Sequence, residues 1–183
     1  TNNVAGNATS KTSAGGGLFL AGNGVLTDVQ FDGNMAYGDG GGMRMETTMP
    51  VVMDQIVFDG NTARKRGGAL SFAGGTVTME QPTITLCTAE DLGGGIHVET
   101  GVLEIHAALL SHLAAPQCEV LAVDEGELII QASIFCPAEM SMCGNVVLDG
   151  SNEFIDECDG FCTGDLNVDG WIDGTDIGLF LVA

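Results

Sequence analysis

Two stretches decide the reading of this chain: QFDGNMAYGDGGGMRM, residues 30–45, and VFDGNTARKRGGALSF, residues 57–72. Each writes Phe-Asp-Gly-Asn-x-Ala, then a glycine run, then an apolar–polar–apolar triplet. A pattern written twice points to a repeat, and a fixed period constrains a fold more than any local motif. The first apolar residue after each glycine run is Leu18, Met43, Leu70 and Ile96, at steps of 25, 27 and 26 residues. The same column continues without glycines through Leu121 and Val146. A second column holds Leu26, Met53, Met79, Ile105, Ile130 and Ile155, and a third Val4, Phe31, Phe58, Ile84, Leu109 and Ile134. A fourth follows the motif asparagine through Asn7, Asn34, Asn61, Cys87, His112 and Pro137.

Around each column, inward and outward residues alternate with period two, the mark of a half-buried strand. Between them stand Gly, Asn, Asp, Ser and Thr, the turn formers. Three short strands and three turns cannot bury a face alone, whereas stacked repeats share one core. The spacing therefore predicts an all-β chain, a right-handed parallel β-helix of about six coils with a period of about 26 residues. Residues 1–155 form that domain, and residues 156–183 form a separate segment. Phe31 and Phe58 are inward rungs, Gly33 and Gly60 take a corner of positive φ, and Asn7, Asn34 and Asn61 stack as an amide ladder. The glycine runs lie where bulky side chains would crowd adjacent coils.

The FDGN pair (31–34 and 58–61) and GGAL (67–70) resemble the FxxN and GGA[ILV] repeats of chlamydial polymorphic outer membrane proteins. That resemblance covers roughly residues 1–100. It implies a secreted β-helical surface protein, of a kind that includes adhesins.

The formal charge is −20, from 25 acids against five Lys and Arg. Such a surface argues against nucleic acid, anionic lipid and polyanionic glycans as direct partners. No apolar run is long enough to insert in a membrane. TNNVAGNATS at the start reads as the middle of a repeat, so the chain reads as a mature or trimmed fragment. Six cysteines (87, 118, 136, 143, 158 and 162), none before residue 87, suggest disulfides in the second half and an extracellular or cell-surface location. Cys118 and Cys143 fall in one column; Cys136–Cys143 and Cys158–Cys162 are alternatives.

DLNVDGWIDGTD, residues 165–176, is written in different terms from the coils. Asp165, Asn167 and Asp169 stand at alternate positions before the turn glycine Gly170. The Trp171 carbonyl, Asp173 and Asp176 complete an oxygen set suited to Ca²⁺. With the short helix expected after it, the loop resembles a single type I dockerin repeat. Dockerins carry two such repeats and bind a cohesin partner. The loop reads first as an end cap, with cohesin docking as the alternative.

Glu99, Asp124 and Asp149 are expected to stack outward as solvated carboxylates. His97, Glu104 and His106 are outward by parity and read as surface. Arg64, Lys65 and Arg66 read as a solvated corner. The outward positions Phe19, Arg44, Ser71, His97, Ala122 and Val147 show no catalytic grouping. The sequence thus points to an extracellular, non-enzymatic, Ca²⁺-binding β-helix that serves as a surface, adhesive or assembly module. Its partners would be further copies joined head to tail, upstream repeats, or a glycan or protein ligand. A polysaccharide lyase or hydrolase on the same fold is the alternative.

Overall fold

A computed structural model describes residues 2–6, 13–137 and 141–155. Every paired strand in it runs parallel to its neighbours, in a β-solenoid of about five turns with a period of about 26 residues. No helix occurs among the described residues. The count falls short of six coils because the final one is cut down. Leu121 pairs with Met142, Leu128 with Val146, Ile130 with Leu148 and Phe135 with Phe154, so these steps are 21, 18, 18 and 19 residues. Val146 and Ile155 therefore do not hold the positions their spacing suggested. Val146 lies one strand further round the coil, and Leu148 occupies the rung expected of Ile155.

Each full coil presents four strand positions, one more than expected. The first holds Leu18–Ala21 and Met43–Glu46, the second Gly24–Thr27 and Val51–Asp54, and the third Gln30–Asp32 and Val57–Asp59. A short fourth position is made by Val4–Ala5, Met35–Ala36, Thr62–Ala63 and Thr88–Ala89. In the next two coils the first and second positions fuse into single bent strands, Leu70–Glu80 and Ile96–His106. Val4 pairs with Met35 on the fourth position and is not part of the Phe31 column. That column runs Phe31, Phe58, Ile84, Leu110, Phe135 and Phe154. The step from Ile84 is thus to Leu110 rather than Leu109, and from there to Phe135 rather than Ile134.

The core is the stacked inward column of each face. Met43, Met45, Met53, Phe58, Leu70, Phe72, Met79, Ile84, Ile96, Leu103 and Ile105 are all fully buried. Phe31 and Phe58 stack with ring centroids 4.9 Å apart. Burial of this aliphatic and methionine bore is the main favourable term, at roughly 25 cal/mol per Å².

Two features close each coil. At the corner between the second and third strands, Asp28, Gln55, Gln81, Ala107 and Ala132 all take φ between 49° and 54° without a glycine among them. Along the glycine runs, backbone meets backbone. A Cβ on Gly41 would lie 2.3 Å from the carbonyl oxygen of Gly68, and one on Gly42 2.7 Å from a ring carbon of Phe58. The third glycine thus makes room for the phenylalanine rung. Where Ile84 replaces that ring, Ala69 replaces the glycine.

The amide ladder exists, and among the described residues it runs from Asn3 through Asn34 to Asn61. Asn3 donates to Asn34 Oδ1 and Asn34 to Asn61 Oδ1, in each case through both the backbone N–H and the side-chain amide at 3.0 Å. Asn7 lies outside the described residues. Cys87 continues the column, with Asn61 Nδ2 3.8 Å from its sulfur, and Leu113 follows in place of His112. His112 instead shares the left-handed corner of Gly33, Gly60 and Leu86.

Candidate functional site

The outward side chains of the first strand position run in register as Phe19, Arg44, Ser71, His97, Ala122 and Cys143. Cys143 stands where Val147 was expected. Parity alone makes these residues surface, but four of them are buried: Arg44 is 6% exposed, Ala122 2%, and Ser71 and His97 0%. His97 is therefore not a surface residue. Side chains from the loop that enters each coil, notably Asp39 and Arg66, join those of the strand in one polar network.

The network crosses four coils. Arg44 Nη1 donates to Ser71 Oγ at 2.7 Å, and Ser71 Oγ lies 3.2 Å from His97 Nδ1. His97 Nε2 lies 3.0 Å from Asp124 Oδ2, which also accepts from Arg66 Nη1 at 3.3 Å. Arg66 grips Asp39 through Nε and Nη2, both at 3.1 Å. Arg44 Nη2 reaches Glu99 at 2.8 Å and Glu46 at 3.1 Å. Glu99 and Asp124 are thus taken up by arginine and histidine and do not form a stack of free carboxylates. Asp149 is not in their column: it follows Leu148, the partner of Ile130, and hydrogen-bonds Ser151.

The electrostatics follow from burial and pairing. Burial works against the charge of Asp39, yet the hydrogen bond and charge of Arg66, with Arg44 behind it, hold its carboxyl below the usual range. The hydrogen bonds that Arg66 donates to Asp39 in turn raise Arg66. Burial lowers His97, and this outweighs the opposing pull of Asp124. Arg64, the other arginine of the basic corner, lies over the Tyr37 ring at 4.6 Å and 3.7 Å from Glu90. Of the remaining outward candidates, Glu104 and His106 are half-buried.

Beside the network opens a cleft of about 550 Å³, lined by Arg44, Glu46, Thr48, Met49, Glu99 and Thr100 among others. Ser71, His97 and Asp124 superficially order themselves as nucleophile, base and carboxylate. Ser71 Oγ, however, has no exposed surface and accepts a guanidinium hydrogen, so it is a link in the network and not an accessible nucleophile. The signal that marks this cluster in the sequence is Arg44, a lone cation on a strand, with Glu99 two coils away and Asp124 three.

Asp165, Asn167, Asp169, Trp171, Asp173 and Asp176, with the helix expected after them, lie outside the described residues, as do Cys158 and Cys162. Among the described residues, no group of three or more His, Cys, Asp or Glu is placed to hold a metal ion. Cys118 and Cys143 form a disulfide, with Cα atoms 5.3 Å apart, and Cys87 is a buried free thiol.

Fold and outer face together define a parallel β-solenoid repeat protein. A family model for the Chlamydia polymorphic membrane protein repeat matches residues 55–73, which run from the Gln55 corner through Phe58, Asn61 and the glycine run to Phe72. No curated protein and no solved structure matches the chain.

Proposed function

We propose that this chain is a non-enzymatic, cell-surface solenoid that presents an adhesive or assembly surface. The observation that carries the proposal is the match of the polymorphic membrane protein repeat to the greater part of one coil of a parallel solenoid. The disulfide between Cys118 and Cys143 supports an oxidising compartment. The first-strand face supports a non-catalytic role, because its cations and carboxylates are spent on one another. A glycan array screened in parallel with an activity assay on acidic polysaccharides tests this. Bound glycan without turnover is the expected result, and cleavage of any polysaccharide overturns it.

One Ca²⁺ ion held by Asp165, Asn167, Asp169, the Trp171 carbonyl, Asp173 and Asp176 belongs to the same reading. It is supported by hard oxygen donors at loop spacing in a chain of charge −20. Trp171 is the single tryptophan, so its emission reports the loop. Calcium added to chelator-treated protein should change that emission and raise the melting temperature; no change in either removes the site. Copies joined head to tail through their end coils, or upstream repeats, are the partners this reading favours. Light scattering with calcium and then with chelator tests self-assembly, and a monomer in both conditions at high concentration rules it out.

A further inference from the structure

The polar network on the outer face fixes where its protons sit, and this has a consequence that is independent of the surface role. A guanidinium is donor only, so Ser71 Oγ must accept from Arg44 Nη1 at 2.7 Å. The Ser71 hydroxyl hydrogen is then directed at His97 Nδ1, 3.2 Å away, which must accept it. On the other side of the ring, the Asp124 carboxylate is acceptor only, so His97 Nε2 carries the proton across 3.0 Å. The donor sequence therefore runs from Arg44 to Ser71, to His97, to Asp124, and Arg66 donates into the same carboxylate from outside.

We propose that this seam is a proton-sensitive fastener: it closes only on the neutral Nε2–H form of His97, and proton uptake by His97 loosens the outer face across the coils of Arg44, Ser71, His97 and Asp124. A second ring proton, on Nδ1, would set the imidazolium and the Arg44 guanidinium, two cations, on the same Ser71 oxygen, and the serine hydrogen would lose its acceptor. The imidazole has no exposed surface, so water cannot take up the broken bonds. The charged groups around the ring come from every packed element: Asp39 and Arg66 from the entering loops, Arg44 and Glu46 from one strand, Glu99 from its own strand, and Asp124 from the next coil.

The direction agrees with the burial-lowered affinity of His97 for protons. A group depressed on folding contributes stability that is complete above its unfolded value, about 6.5 for histidine, and is lost as pH falls below it. Each pH unit in that window costs up to about tenfold in the folding equilibrium constant. Asp39, also depressed, loses its contribution only below about pH 4, in a separate window.

The test compares the full chain with its His97→Gln variant by denaturant unfolding at pH 7.5, 6.5 and 5.5. The wild-type constant should fall between pH 6.5 and 5.5 by up to about tenfold more than that of the variant. Equal pH slopes in the two proteins overturn the proposal. Nitrogen-15 NMR of the wild-type imidazoles gives a readout that needs no folded variant, with the His97 signals assigned by through-space contacts to Ser71 and Ala122. A proton on Nε2 alone at pH 7.5 is expected. A proton on Nδ1 at that pH sinks the proposal.

Discussion

Asn61 Oδ1 accepts two hydrogen bonds from Asn34, one from its backbone and one from its amide, while Asn61 Nδ2 donates to the Phe31 carbonyl at 2.7 Å. One buried side chain thus satisfies polar groups on two segments of the preceding coil. Asn61→Ala orphans all of them, at a cost of about 3 kcal/mol. Denaturant unfolding of the two proteins measures it, and a loss under about 1 kcal/mol would show that water reaches the ladder.

Phe58→Asp puts a carboxylate into a fully buried column against the Phe31 ring. A loss of more than about 4 kcal/mol is expected. Asp59→Ser, one residue on, gives up only a half-exposed hydrogen bond from Thr85 and should cost less than about 1 kcal/mol. Thermal melts of the pair check the inward and outward assignment; comparable losses would reverse it.

Gly41→Ala should be severe, because the new methyl meets the Gly68 carbonyl and the Thr62 backbone, none of which has a flexible end to yield. Gly24→Ala meets nothing within 4 Å and should be neutral or stabilising by up to about 1 kcal/mol. Expression yield and melting temperature of the two variants make the comparison. A well-folded Gly41→Ala protein would mean the coils lie further apart than the structure places them.

Cys87 is buried, and desolvation pushes its thiol up to about 12 despite hydrogen bonds from Asn61. At pH 8 it should therefore resist alkylation in the folded protein and react once denaturant unfolds the chain. Peptide mass mapping locates the label, and rapid native modification at Cys87 contradicts its burial.

Much of this architecture is legible in the residues, and the failures have a common cause. The first and second columns hold through Leu121 and Ile130 because a polar or small residue follows every apolar one but Leu18 and sets the parity. The third column slips at Leu109 and Leu110, and again at Ile134 and Phe135, where two adjacent apolar residues leave parity undefined. The final coil misleads because Val146 sits at the expected 25-residue step from Leu121, while the chain has in fact taken a shorter path. The outer network was hidden for another reason. Parity says which way His97 points, but whether a neighbouring loop brings Asp39 and Arg66 over that face depends on contacts between coils. Cys118 and Cys143 were legible as a pair because a disulfide across adjacent coils needs a separation close to the period, and theirs is 25.

That disulfide also has a mechanical meaning. Pulled lengthwise, a stack of coils held by hydrogen bonds parallel to the load peels from one end, coil after coil. The Cys118–Cys143 bond interrupts this sequence. Tension applied beyond Cys143 passes through sulfur directly to Cys118, and residues 119–142 cannot be paid out as slack. The solenoid therefore has a covalent stop: a tear does not run through the bridged segment into the bore.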